Sequence, residues 1–170
     1  MQFADVVPWF LSVALLFAVV GVAARRPAAQ ALAVSPAIAT ALVASMGLVV
    51  AATLTPLRHA LESGAVGSGR CDLTRLRLPS LEELMSFEAN DIGLNVLLFV
   101  PLGVTIGLAP RSRQKIVLVV VAVATPVVVE ATQLLVPALA RGCESADVID
   151  NLLGLGLGLA ITTVVRHFQA

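Results

Sequence analysis

Long apolar runs, separated by short polar stretches, are the feature that most constrains how this chain of 170 residues folds. A helix needs about 20 apolar residues to cross the roughly 30 Å hydrocarbon core of a membrane. Four runs reach or approach that length, at 6–24, 31–54, 92–109 and 116–139, and a fifth does so if it is taken as 148–165. The sequence therefore predicts an all-α fold, a membrane bundle of about five transmembrane helices, in a single domain that covers residues 1–170.

The composition excludes the common soluble classes. Hydrophobic residues make up 58% of the chain and charged residues 13%, whereas a soluble domain carries about 25% charged residues. Eleven Lys and Arg residues balance eleven Asp and Glu residues, so the chain lacks the net positive charge that binding to the phosphate backbone of a nucleic acid requires. We therefore expect membrane lipids as partners and no nucleic acid.

The orientation prediction depends on Lys and Arg near the ends of the spans, because such residues are enriched in cytoplasmic loops. Six of these residues fall on one side and five on the other, and the six lie in short loops close to the spans. We therefore predict a multi-pass protein of the cell membrane, with the N-terminus and the 55–90 and 140–150 loops outside. The cytoplasmic set is Arg25, Arg26, Arg111, Arg113, Lys115 and Arg166.

The two cysteines fall on the same side in this topology. Cys71 lies in the 55–90 loop and Cys143 in the 140–150 loop. An extracytoplasmic location would permit a disulfide between them. Two unrelated free thiols fit the sequence equally well, so both alternatives stay open at this point.

The 55–90 loop contains a predicted helix start. Ser80 and Glu83 have the spacing of a capping box, in which each side chain binds the backbone N–H of the other residue. Apolar and acidic residues then alternate at helical spacing from Leu81 onwards. This pattern predicts a short amphipathic helix that lies in the membrane interface.

One carboxylate lies where an apolar helix should exclude it. Glu130 is well inside the fourth apolar run, and Gln133 follows on the same helical face. An acid in that position costs about 2.5–3.5 kcal/mol on insertion scales, so it should face protein or a wet cavity and have a partner. We expect side-chain amides and a guanidinium from the neighbouring helices to be its partners. Glu130 is therefore the residue to which the sequence most strongly assigns a function.

Other polar side chains lie at the ends of the neighbouring runs. Asp91 and Asn95 share one face at the start of the third run, because they are four residues apart. Asp147 and Asn151 repeat that spacing at the start of the fifth, and Arg141 lies in the loop before it. We predict that these groups form one ligand-binding or structural site near the outer leaflet, here called the polar cluster: Asp91, Asn95, Glu130, Gln133, Arg141, Asp147 and Asn151.

The order of these residues matches a known pattern. The stretch 95–103 reads N-V-L-L-F-V-P-L-G, and E-x-x-Q at 130–133 is followed by Arg141 and by D-x-x-x-N-x-x-G at 147–154. A further T-L-x-P stretch ends the second run at Pro56. Over about residues 40–160 these blocks resemble the signatures of the VanZ-like membrane proteins. Asp150 departs from the pattern, because the family usually has an apolar residue there, and we expect water at the interface to solvate it.

The resemblance implies a bacterial integral membrane protein of the cell envelope. The family's namesake is associated with low-level teicoplanin resistance, so the resemblance also implies a link to glycopeptide resistance. It places the polar-cluster residues from Asn95 to Asn151 in the family's polar site. A lipid-linked envelope precursor or a glycopeptide is the ligand expected on this basis.

The sequence leaves the type of function open among three hypotheses. The preferred one is a protein that binds or modifies a cell-envelope amphiphile, with Glu130 and Arg141 lining a cavity open to the outer leaflet. The others are a small proton-coupled transporter that uses Glu130, and a purely structural membrane subunit. His59 and His167 fall on opposite sides of the membrane, so no zinc site is indicated. We predict no metal and no cofactor, and the residues do not decide whether the protein is an enzyme.

Overall fold

The structure, a computed structural model, describes residues 7–85 and 91–168, apart from the side chains of Met85 and Asp91. Helices account for nearly all of its regular structure. In chain order the elements are α1 (Phe10–Ala23), α2 (Arg25–Leu32), α3 (Pro36–Thr53), α4 (Arg58–Ser63), β1 (Cys71–Asp72), α5 (Leu81–Met85), α6 (Asp91–Leu108), α7 (Arg113–Leu135), a 3-10 turn (Pro137–Leu139), β2 (Cys143–Glu144) and α8 (Ser145–Phe168).

Three of these helices, α3, α7 and α8, are long and apolar enough to cross a membrane. The helices α1 and α2 pass the same test together, but a bend of 74° separates them, so the number rises to four if that pair is one span. The helix α6 is apolar but shorter. The predicted all-α membrane architecture is thus confirmed, but the described residues provide three to four candidate spans where the sequence predicted about five. The single domain over 1–170 stays a prediction.

The first two apolar runs differ from prediction at their junction. The chain does not leave the helix at Arg25 but bends at Ala24 and continues as α2. The second span was predicted from residue 31, which is wrong, because α3 begins only at Pro36. Ser35 caps α3 by accepting a hydrogen bond from the Ile38 amide (3.3 Å), and Pro36 occupies the first helical position, which suits its fixed φ.

The later helices start earlier than the apolar runs alone indicate. The helix α7 begins at Arg113 and stops at Leu135, because Val136 leaves helical geometry before Pro137. The predicted end at residue 139 is therefore wrong. The helix α8 runs for 24 residues, from Ser145 to Phe168, so it exceeds the predicted span of 148–165 at both ends. Its polar first turn therefore belongs to the helix.

The helices α6 and α8 form the closest helix pair, and glycines make it possible. A Cβ at Gly154 would lie 2.0 Å from the Val96 carbonyl oxygen, and one at Gly158 would lie 2.3 Å from that of Val100. Both glycines thus pack directly on backbone, as small residues do between membrane helices. The two helices run parallel, because the contacts advance along both in the same direction. Gly156 of the same helix is exposed, with nothing near its Cβ position.

The apolar core lies between α3, α6, α7 and α8. Phe99, Leu102 and Ile106 of α6 are almost completely buried, and they pack with Val49 of α3 and Val129 of α7. This core brings the C-terminal ends of α3 and α7 and the N-terminal end of α8 to one end of the bundle, here called the polar end.

The short helix α5, with the segment that precedes it, also belongs to the polar end. The predicted capping box is confirmed, because the Ser80 amide donates to Glu83 (2.6 Å) and the Glu83 amide donates to the Ser80 hydroxyl (3.2 Å). The guanidinium of Arg77 beside Glu83 holds the pKa of that carboxyl well below its usual range. The helix α5 follows, and its placement in the membrane interface stays a prediction.

At the opposite end of the bundle, two cations bind the last carbonyls of α6. Lys115 Nζ donates to the Gly107 carbonyl (2.9 Å), and Arg166 Nη2 donates to the Leu108 carbonyl (2.5 Å). Such donors satisfy carbonyls that have no partner within the helix and favour the negative end of its dipole.

We expect Gly154→Val to destabilise the protein by about 3 kcal/mol or more, because α8 would have to move away from α6. Gly156→Val is the matched control, since it makes the same change in the same helix at an open position. Thermal unfolding of both variants in detergent measures the difference. Equal stability of the two variants would contradict the glycine packing.

Candidate functional site

At the polar end, side-chain donors bind buried carbonyls at and just after the C-terminal end of α3. Pro56 prevents the helix from continuing, so its last carbonyls have no partner within α3. The Gln133 side-chain amide donates to the Thr53 carbonyl (3.0 Å), and Arg141 Nε donates to the Thr55 carbonyl (3.1 Å). Two polar-cluster residues therefore dock on the T-L-x-P end of α3.

Glu130 is buried within the protein and does not face lipid. Only 5% of the residue is exposed. Its Oε2 accepts a hydrogen bond from the backbone amide of Glu144 (2.7 Å), which lies on β2. The acid thus obtains a partner from the backbone of the loop that follows α7, whereas the sequence pointed to side-chain amides and a guanidinium as its partners.

Arg141 lies beside two acids and is not fully hydrogen-bonded. Burial lowers the pKa of its guanidinium to about 10, while the negative charges of Asp147 and Glu130 act in the opposite direction. The group therefore stays charged at neutral pH. Its Nη2 atom is buried and has no hydrogen-bond partner within residues 7–85 and 91–168.

The first two turns of α8 carry the next members of the polar cluster. Asp147 lies in the first turn, where a negative charge is favoured by the helix dipole. Asn151 is 1% exposed, and its side-chain oxygen has no hydrogen-bond partner in the described part of the chain. Both residues share one end of α8 with the loop that holds Arg141.

The helix α6 places Asn95 near the first two turns of α8. The neighbouring Val96 packs against Gly154, less than one turn after Asn151, and Asn95 itself is half-buried. Asp91 begins α6, but its side chain lies outside the described residues.

Asp150 is completely buried, and its partner is Arg75 of the loop before α5. Arg75 Nη2 forms an ion pair with Asp150 Oδ2 and also donates to the Ala146 carbonyl (3.3 Å). The expectation that water solvates this acid is therefore wrong. Sequence reasoning missed Arg75, although an acid within an apolar run is itself a signal to search for a cation.

The two cysteines, whose pairing the sequence left open, are joined by a disulfide. Cys71 and Cys143 lie opposite each other in the parallel pair of β1 and β2, with their Cα atoms 4.5 Å apart. The bond links the 55–90 loop to the residue before Glu144, whose amide binds Glu130.

Two concave surfaces stand out among the described residues, and neither includes Glu130 or Arg141 in its lining. One is an apolar cavity of about 220 Å³ between α1, α3, α6 and α7, beside Leu42 and Ala122. The other is an apolar groove on α8, lined by Leu78 and by residues from Ile149 to Leu157. No group of three or more His, Cys, Asp or Glu side chains in the described ranges is arranged to hold a metal ion.

Comparison with known families identifies the chain. The model of the VanZ/LLP1 family matches residues 9–166, nearly its whole length. The chain belongs to the VanZ/LLP1 family. This finding agrees with the resemblance of the two polar blocks and supports a VanZ-like membrane protein. No curated protein and no solved structure matches the chain.

We expect Arg75→Met to destabilise the protein by about 3–5 kcal/mol, because it leaves the carboxylate of Asp150 buried without a cation. The double substitution Arg75→Met with Asp150→Leu should recover most of that loss, since it removes both charges. Thermal unfolding of the two variants in detergent checks this. If the double variant is as unstable as the single one, the ion pair is not the reason for the loss.

Proposed function

We propose that this VanZ-family protein binds the polar headgroup of a cell-envelope amphiphile at the polar cluster. The observation that carries the proposal is the buried Nη2 of Arg141, a charged donor with no hydrogen-bond partner among the described residues. A buried donor that is left unpaired costs about 1–3 kcal/mol, and more when the group is charged. A ligand that supplies an acceptor oxygen would remove that cost.

The surrounding groups favour a headgroup with both acceptors and donors. Arg141 is the donor, while Glu130, Asp147 and the Asn151 side-chain oxygen are acceptors. Phosphate, amide and hydroxyl groups together satisfy such a mixture, and Arg is the side chain best suited to phosphate. A lipid-linked cell-wall precursor carries all of these groups next to a hydrocarbon chain.

The distribution of cations supports an outward orientation of the polar end. Lys115 and Arg166 lie at the opposite end of the bundle, where Arg111 lies in the loop between α6 and α7 and Arg113 begins α7. Cytoplasmic loops are enriched in such residues. In the proposed topology, the polar cluster therefore lies near the outer leaflet of the cell membrane, where envelope precursors are used.

Two observations favour this proposal over the alternatives. A proton carrier requires a polar route from Glu130 to the other end of the bundle, whereas the cavity in that half is lined by apolar side chains. A purely structural subunit would have a fully paired cluster, whereas Arg141 Nη2 and Asn151 Oδ1 have no partner in the described part of the chain.

The first test is binding to a purified lipid-linked cell-wall precursor in detergent, followed by native mass spectrometry. We expect Glu130→Gln and Arg141→Lys each to weaken binding at least about tenfold, or about 1.4 kcal/mol. The Lys substitution keeps the positive charge but loses the planar set of donors. Arg77→Ala is the control, because it removes an exposed arginine from the same end of the bundle.

The second test is teicoplanin susceptibility of a bacterium that expresses each variant. We expect the wild type and Arg77→Ala to raise resistance, and Glu130→Gln and Arg141→Lys not to do so at equal abundance in the membrane. Unchanged precursor binding in both site variants would refute the headgroup site. Loss of resistance only in proportion to lost abundance would favour a structural role for the cluster.

A further inference from the structure

One loop segment is bound at several points to the chain that carries the polar cluster. This segment, residues 67–75, is here called the strap. The Gly67 amide donates to the Pro137 carbonyl (2.7 Å), Cys71 is bonded to Cys143, and the Arg75 carbonyl accepts a hydrogen bond from the Ser145 hydroxyl (2.9 Å). The strap thus follows the linker between α7 and α8 from its beginning to the start of α8.

The first contact brings the strap onto the backbone of Arg141. A Cβ at Gly67 would lie 2.6 Å from the Arg141 carbonyl oxygen, so only a glycine permits this approach. The strap therefore touches the same residue whose guanidinium lies in the polar cluster. A displacement of the strap would remove one of the contacts that hold the Arg141 backbone in place.

The second contact, the disulfide, lies next to the residue whose amide binds Glu130. The strands β1 and β2 pair over two residues only, Cys71 with Cys143 and Asp72 with Glu144. Two-stranded sheets of ordinary length are marginally stable in water, so a pair of two residues depends on another constraint. The disulfide supplies it, and the next residue along β2 is Glu144, whose amide binds the Glu130 carboxylate.

We infer that the Cys71–Cys143 disulfide is a redox-sensitive positioning site that holds the Glu144 amide on Glu130 and the backbone of Arg141 in place. Reduction by a dithiol breaks the S–S bond with two electrons and two protons, which yields two thiols and a cyclic disulfide on the reductant. The strap then loses its covalent link to β2, and the polar cluster loosens. The effect on ligand affinity rests on the proposed function, whereas the effect on the strap does not.

The rest of the bundle does not depend on this bond. The strap keeps its third anchor, because Arg75 pairs with Asp150 and the Ser145 hydroxyl binds the Arg75 carbonyl. The α6–α8 pair is held by the packing of Gly154 and Gly158 on the backbone of α6. Reduction should therefore change the polar end without unfolding the helices, and the comparison can be made on the full chain.

The experiment is hydrogen exchange by mass spectrometry on the full-length protein in lipid nanodiscs, with and without dithiothreitol. We expect several-fold faster exchange in peptides that cover 141–147 after reduction, because the Glu144 amide loses its fixed acceptor. Peptides that cover 96–106 of α6 should exchange at an unchanged rate. Unchanged exchange at 141–147 on complete reduction would overturn the inference.

The double variant Cys71→Ser with Cys143→Ser is the matched control. It should exchange like the reduced wild type and should not respond to dithiothreitol. If this variant fails to accumulate, reduction of the purified wild type still decides the question. A response of the variant to dithiothreitol would show that the reagent acts elsewhere and would also overturn the inference.

Binding of the lipid-linked precursor is measured on the same samples. We expect reduction to weaken it at least about tenfold. If exchange at 141–147 accelerates but affinity is unchanged, the disulfide does not position the site. If the oxidised protein binds no precursor at all, the proposed function fails. The hydrogen-exchange rates then test the role of the strap by themselves.

Discussion

The hydrogen bond from the Glu144 amide to Glu130 is the interaction on which the polar end depends. The hydrocarbon region of a membrane offers no water, so a polar group there must find its partner within the protein. Glu130 lies near the end of a long apolar helix, and the loop that follows folds back to bring it a backbone donor. That loop is therefore part of the site and more than a connection between α7 and α8.

The same rule explains why helix ends gather around the site. A helix that stops leaves its last carbonyls without partners within the helix, and at the polar end donors from other elements bind such carbonyls. Gln133 and Arg141 use the carbonyls at the end of α3, and Arg75 uses that of Ala146 at the start of α8. Fold and site thus share their hydrogen bonds, so a variant at one of these residues needs a measurement of abundance as well as of function.

The sequence predicted the helices well and their junctions poorly. Apolar length alone locates α6 and α7, but the bend at Ala24 and the start of α3 depend on the local geometry of Ala33 and Ser35. Glu130 could be found because an acid in an apolar run is costly. Its partner could not be found, because a backbone amide has no sequence signature. Arg75 was missed for a related reason: it is 75 residues from Asp150, and nothing local links the two.

The length of α6 has a consequence for the surrounding bilayer. At a rise of 1.5 Å per residue, its 18 residues span about 27 Å, against about 35 Å for the 23 residues of α7. The cations of Lys115 and Arg166 at its carbonyl end are stable only where headgroups or water can reach them. A bilayer that α6 spans must therefore thin locally beside it, and the chain is better matched to thin membranes than to thick ones.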